Sequence, residues 1–119
     1  MKEITAILRP RKDRETKQAL SRIGVTTCTM RRVFGRGRQR GLRYSTDPAS
    51  VPAVEQVAMR YLPKKMLYLV VTDQQARAAV QTIIRVNQTG QYGDGKIFVS
   101  DCEAVRRIRT GEEGDMAAQ

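Results

Sequence analysis

The stretch Gly93-Asp94-Gly95-Lys96-Ile97-Phe98-Val99 carries a lysine onto a short apolar strand through a glycine-framed turn. Glycines reach positive φ and let backbone N–H groups approach a ligand, and a lysine at the strand edge adds a point charge, so the segment can cradle an anion. A Gly-Asp-Gly turn is also an ordinary way into a strand. Two further segments offer related chemistry. In Gly35-Arg36-Gly37-Arg38-Gln39-Arg40-Gly41 three arginines are interleaved with glycine and glutamine, a composition that suits phosphate contact or, equally, a solvated charge run. Arg107 and Arg109 are two apart, so in an extended segment they share a face and can grip one polyanion, with Thr110-Gly111 ending the stretch. A triphosphate would engage all three.

Composition narrows what such sites can do. Lys and Arg number 22 against 12 Asp and Glu, a formal charge of +10 that favours an anionic partner. Histidine and tryptophan are both absent, which removes histidine-based acid–base catalysis, histidine metal sites and the Ser/His/Asp mechanism. Cys28 and Cys102 stand far apart without metal-ligand spacing, as in a chain from a reducing compartment. No apolar run is long enough to span a bilayer, and the first residues already alternate like a strand, so a cytoplasmic protein without membrane insertion is expected. With 119 residues, 40% of them apolar, one domain spanning residues 1–119 is expected.

The elements that must hold these segments follow from the hydrophobic periods. Residues 4–9 alternate as a strand into Pro10, and Ala19, Leu20 and Ile23 form the stripe of a helix that Gly24 ends. Residues 25–34, rich in Val and Thr, predict a second strand. The apolar run 66–71 predicts a strand buried on both faces, and Thr72 with Gln75 predicts a capping box opening a helix lined by Ala76, Ala79, Val80 and Ile83, which fades near Thr89-Gly90. Residues 97–99 make a fourth strand. This order predicts an α+β, ferredoxin-like βαββαβ sandwich with helices on one face, the other face covered by further copies of the chain. Residues 35–61 show no sustained period and form a loop too long to be filler, with at most a helical turn or two over residues 53–60.

Residues 35–41, Leu62-Pro63-Lys64, Thr89-Gly90-Gln91-Tyr92-Gly93-Asp94-Gly95-Lys96-Ile97-Phe98-Val99 and Arg107-Ile108-Arg109-Thr110-Gly111-Glu112-Glu113 resemble the signatures of the PII nitrogen-regulatory signal-transduction proteins. The resemblance covers nearly the whole chain, with the motifs in the same order. It implies a trimer, not an enzyme, that binds ATP or ADP in clefts between subunits and holds 2-oxoglutarate through Mg-ATP at the base of a T-loop, here residues 36–61. Residues 107–119 would form the C-terminal tail. By resemblance, Gly37, Arg38, Gly93, Asp94, Gly95, Lys96, Arg107 and Arg109 surround the phosphates, and Ile7, Thr29 and Val70 line the adenine and ribose. Gln39 ligates Mg, and Arg9, Gln39, Lys64 and the Gly93 backbone contact 2-oxoglutarate.

Two departures stand out. Tyr68 occupies a position where many PII proteins have a glutamate, which affects nucleotide contacts or turnover that depend on that carboxylate. The loop lacks the tip tyrosine that is uridylylated in the enteric form, Tyr44 and Tyr61 lying nearer its ends. Arg38-Gln39-Arg40-Gly41-Leu42-Arg43-Tyr44 and Leu62-Pro63-Lys64-Lys65-Met66-Leu67 resemble most the NifI branch, which inhibits nitrogenase directly, relieved by 2-oxoglutarate and ATP. The partners implied are a homotrimer or a hetero-oligomer with a paralogue, and a target reached through the T-loop: nitrogenase, an ammonium channel or another nitrogen-metabolism protein. A basic ferredoxin-like nucleic-acid-binding module is the rival reading. It rests on the +10 charge, but only Tyr68 and Phe98 offer stacking surfaces.

Overall fold

The computed structural model describes residues 1–37 and 61–119. Strand β1 (Lys2–Leu8) leads through a 3-10 turn at Pro10–Lys12 into helix α1 (Asp13–Arg22) and then strand β2 (Thr29–Gly35). Strand β3 (Leu62–Val71), helix α2 (Asp73–Asn87) and strand β4 (Lys96–Asp101) follow, with a short helix α3 (Asp115–Ala118) last. The sheet order is β2-β3-β1-β4, every neighbouring pair antiparallel. Helices α1 and α2 therefore each link two strands that have a third between them, the split βαβ arrangement expected of a ferredoxin-like fold.

Strand alternation divides the sheet into two unlike faces. Ile4, Ala6 and Leu8 of β1 and Leu67, Leu69 and Val71 of β3 are buried under α1 and α2, where Leu20, Val25, Ala79 and Ile83 complete the core. Full burial of an Ile or Leu is worth about 1.5–3 kcal/mol, so this layer holds the helices to the sheet. A polar clamp locks the two helices together. The Asn87 amide donates to the Thr16 hydroxyl (3.0 Å) and to the Ile83 carbonyl (2.8 Å), while the hydroxyl donates to the Lys12 carbonyl (2.7 Å).

Neither α1 nor α2 covers the opposite face. By register it presents Glu3, Thr5 and Ile7 of β1, Thr29, Arg31 and Val33 of β2, Lys64, Met66, Tyr68 and Val70 of β3, and Lys96, Phe98 and Ser100 of β4. Strand β3 is thus buried on one face only within a single chain: Met66, Tyr68 and Val70 stay half-buried where the apolar run predicts burial on both.

Strand boundaries also differ from expectation, most at the starts of β2 and β3. Strand β2 begins at Thr29 and not at Val25, because Gly24 at φ +87° donates to Ser21 and turns the chain. Val25 N–H then donates to Leu20 O (3.0 Å), so Val25 plugs the end of α1 and does not extend a strand. Strand β3 begins earlier, at Leu62, since its polar end Lys64-Lys65 still pairs with β2. The capping box forms as predicted: Gln75 N–H donates to the Thr72 hydroxyl (3.3 Å), and Thr72 N–H to the Gln75 side chain (3.2 Å). The helical turn expected over residues 53–60 lies outside the described residues.

Candidate functional site

Where β2 ends and β4 begins, the face away from α1 and α2 is hollowed into a concavity of about 460 Å³. Ile7 and Phe98 supply apolar wall, Gly35, Arg36 and Gly37 continue from β2, Leu62 and Lys64 come from β3, and residues 91–96 close the remaining side. Cross-strand register explains the meeting, since Ile7 faces both Met66 and Lys96 and Gly35 faces Leu62.

The turn before β4 is built around Asp94. Its carboxylate accepts from the Thr89 hydroxyl (2.5 Å), the Thr89 and Gly90 backbone N–H groups (2.7 and 2.9 Å) and the Arg9 guanidinium (2.6 Å). Those donors, Thr89 foremost and then Arg9, hold the Asp94 carboxyl far below the usual carboxylate range. Arg9 also donates to the Tyr92 carbonyl (3.0 Å), and Lys64 to the Gly93 carbonyl (2.9 Å), so the residue just after β1 and one in β3 both grip the turn. Gly95 sits at φ +104° with its Cα pressed on β1. A Cβ there would lie 1.7 Å from the Ile7 carbonyl oxygen.

Electrostatics follow from this wiring. Arg9 and Asp94 form an ion pair and largely cancel, which leaves Lys64, Lys96 and Arg36 to set the sign of the concavity. Desolvation, then the neighbouring Arg9 charge, lowers the Lys64 pKa. Cationic heads over an apolar wall formed by Ile7, Leu62 and Phe98 suit a ligand with an anionic end and a flat apolar part.

Of the residues named from sequence, Ile7, Gly37, Lys64, Gly93, Asp94, Gly95 and Lys96 line the concavity and Arg9 braces it. Thr29 and Val70 share its face but lie farther along the sheet, opposite Tyr68 and Glu3. Arg38 and Gln39 lie outside the described residues. Arg107 and Arg109 are not side by side on an extended segment. Ile108, Arg109 and Thr110 form a turn, closed by Arg107 N–H to Glu112 O (2.8 Å) and Gly111 N–H to Arg107 O (2.7 Å) with Gly111 at φ +75°. The segment leaves the sheet at the Met1 end, where Cys102 N–H donates to Met1 O, whereas the concavity lies at the Ile7 end. Sequence reading missed Leu62 and Phe98 as walls and Thr89 as the partner of Asp94. The parity of Phe98 with Lys96 on one strand was the signal for the former.

Along the sheet from the concavity, the Tyr68 hydroxyl donates to Glu3 Oε1 (2.6 Å) and the Ser100 hydroxyl to Glu3 Oε2 (3.3 Å). This places a carboxylate from β1 beside Tyr68 of β3. The bond to Glu3, then desolvation and the Glu3 charge, push the tyrosine pKa up to about 12.

The family described as "Nitrogen regulatory protein P-II" matches residues 1–112. Among curated relatives, "Nitrogen fixation nifHD1 region GlnB-like protein 2" of Methanosarcina barkeri is 46% identical over 98% of both chains. The chain is also 44% identical to "Nitrogen regulatory protein P-II" of Klebsiella oxytoca over 98% of each. A solved structure, Arabidopsis thaliana PII bound to citrate, superposes with a TM-score of 0.76 at 30% identity, covering 99% of this chain and 89% of that one. Sequence, fold and relatives agree that the chain belongs to the PII family of nitrogen regulatory proteins, which are regulators rather than enzymes, and its nif-region relatives are of the NifI type.

Proposed function

We propose that this chain is a nucleotide and 2-oxoglutarate sensor whose ligand-dependent state controls contact between residues 36–61 and a protein of nitrogen metabolism. The reading rests on the rigid turn that presents Lys96 and the Gly93–Gly95 backbone beside Lys64 at the root of those residues. Phosphates of ATP or ADP meet Lys96, and the acid meets Lys64. Ile7 and Phe98 offer apolar surface for the base. The citrate held by the Arabidopsis relative supports an acid-binding role for this architecture.

Magnesium enters with the nucleotide in this reading. The described lining is cationic and its one carboxylate, Asp94, is fully occupied by donors, so it suits phosphate and carboxylate better than a bare cation. Gln39 would complete the Mg shell, and Arg38 the phosphate contacts.

Arg107 and Arg109 lie away from the concavity of their own chain, so in this reading they reach the phosphates of a neighbouring copy, as a trimer with sites between subunits requires. The nif-region names of the relatives make nitrogenase the target to test first.

Titration calorimetry with ATP and ADP, with and without Mg and 2-oxoglutarate, tests the sensor reading. ATP is expected to bind, and 2-oxoglutarate to bind only alongside Mg-ATP. Lys96→Ala should weaken ATP by about 1.5–3 kcal/mol, the worth of a charge-assisted contact. Absence of any nucleotide binding at millimolar concentration overturns the reading.

A further inference from the structure

Arg107 is already bound, and what binds it imitates an anion. Its guanidinium donates to Glu112 Oε2 (2.6 Å) through Nη1, and through Nη2 to the backbone oxygens of Met116 (2.9 Å) and Gln119 (3.0 Å). One carboxylate and two carbonyls from the end of α3 thus fill the planar fork that a phosphate would otherwise occupy. The hairpin around Arg107 is closed by the Arg106–Glu113 ion pair and by Gly114 N–H to Val105 O (3.1 Å). Arg107 is 28% exposed within this clasp, while Ile108 beside it is fully exposed.

We propose that residues 112–119 are an internal competitor for Arg107, so that an anionic ligand reaches this arginine only by displacing the chain's own C-terminal segment. The inference rests on the reading above, in which Arg107 meets nucleotide phosphates. The segment is suited to release. Helix α3 has four residues, buries none of them and has no side-chain cap, and Gly114 enters it at φ +77°. A helix this short has little stability of its own, so these polar contacts and its packing against β3 hold the clasp closed. Opening it exposes no core. The device subtracts from apparent affinity in proportion to the closed fraction, since a ligand selecting the open state must first populate it.

Two variants of the full chain loosen the clasp and leave Arg107 in place: Glu112→Gln, and truncation after Gly114. Calorimetry with Mg-ATP is expected to show roughly tenfold tighter binding in each, about the weight of one charge-assisted hydrogen bond. Circular dichroism should show each variant still folded with a cooperative melt, because no residue of α3 is fully buried. Removing a negative charge would tighten ATP in any position, so Glu112→Gln is repeated on an Arg107→Ala background, where the gain should vanish. Equal gain on both backgrounds, or no gain in either variant, overturns the proposal while leaving the sensor reading intact. Binding by the truncated chain but not the parent supports it. If parent and variants alike bind no nucleotide, both proposals fall.

Discussion

Gly95 shows how little room the turn leaves at single residues. Its φ of +104° and the 1.7 Å approach that a Cβ would make to the Ile7 carbonyl oppose every other side chain, by strain and by collision with backbone that cannot yield. Gly95→Ala should cost at least about 1–3 kcal/mol. Denaturant unfolding checks this, and a midpoint equal to the parent's would mean the turn moves freely. The glycine-framed lysine was legible in sequence because its cause is local. The work of Asp94 was not, since one of its donors, Arg9, stands 85 positions away and a carboxylate beside a cradle reads as easily as a ligand as a strut. Arg107 and Arg109 were misplaced for a related reason: their spacing of two shares a face only if the backbone is extended, and Gly111 N–H bonding back to Arg107 bends it.

Across the strands, Tyr68, Glu3 and Ser100 tie β3, β1 and β4 together on the face away from α1 and α2. Because the folded chain holds the Tyr68 proton to about pH 12 and the unfolded chain only to about pH 10, this group's contribution is complete below pH 10 and is lost as pH rises through 12. Alkaline titration followed by tyrosine absorbance should show an ionisation step near pH 12. Tyr68→Phe should abolish that late step and Glu3→Gln should bring it earlier. A late step that survives Tyr68→Phe would assign it elsewhere. Among the elements, the capping box was readable because Thr72 and Gln75 solve a local problem, the first orphan donors of a helix. The start of β3 was not, because Lys64 and Lys65 hide a paired strand end behind polar side chains: Lys64 reaches the Gly93 carbonyl on one face, and Lys65 lies near Asp13 on the other.

At the scale of the molecule, one sheet face is packed under two helices, while the other leaves Phe98 more than half exposed. Apolar surface of this kind on a sheet invites a partner, and a concavity separated from the arginines expected to complete it makes the same demand. Light scattering in solution should return about 40 kDa, three times the 13.4 kDa chain. A 13.4 kDa species that nonetheless binds ATP fully would remove the need for a second copy. The α+β class and ferredoxin-like order were readable from the alternation of periods alone, because β1, β3 and the two long helices each bury a face that their own sequence marks. Which chain supplies each part of a site leaves no such mark.

Strands β2 and β3 end as direct neighbours, Gly35 opposite Leu62. Residues 36–61 therefore leave and re-enter the domain through a gate only one strand spacing wide, about 5 Å. Closing a loop of doubled length costs only about 0.6 kcal/mol more, so the stretch beyond the pocket-lining Arg36 and Gly37 and the proposed ligand contacts Arg38 and Gln39 can change in length at little cost to the scaffold. The address on the molecule can change while the receiver stays the same.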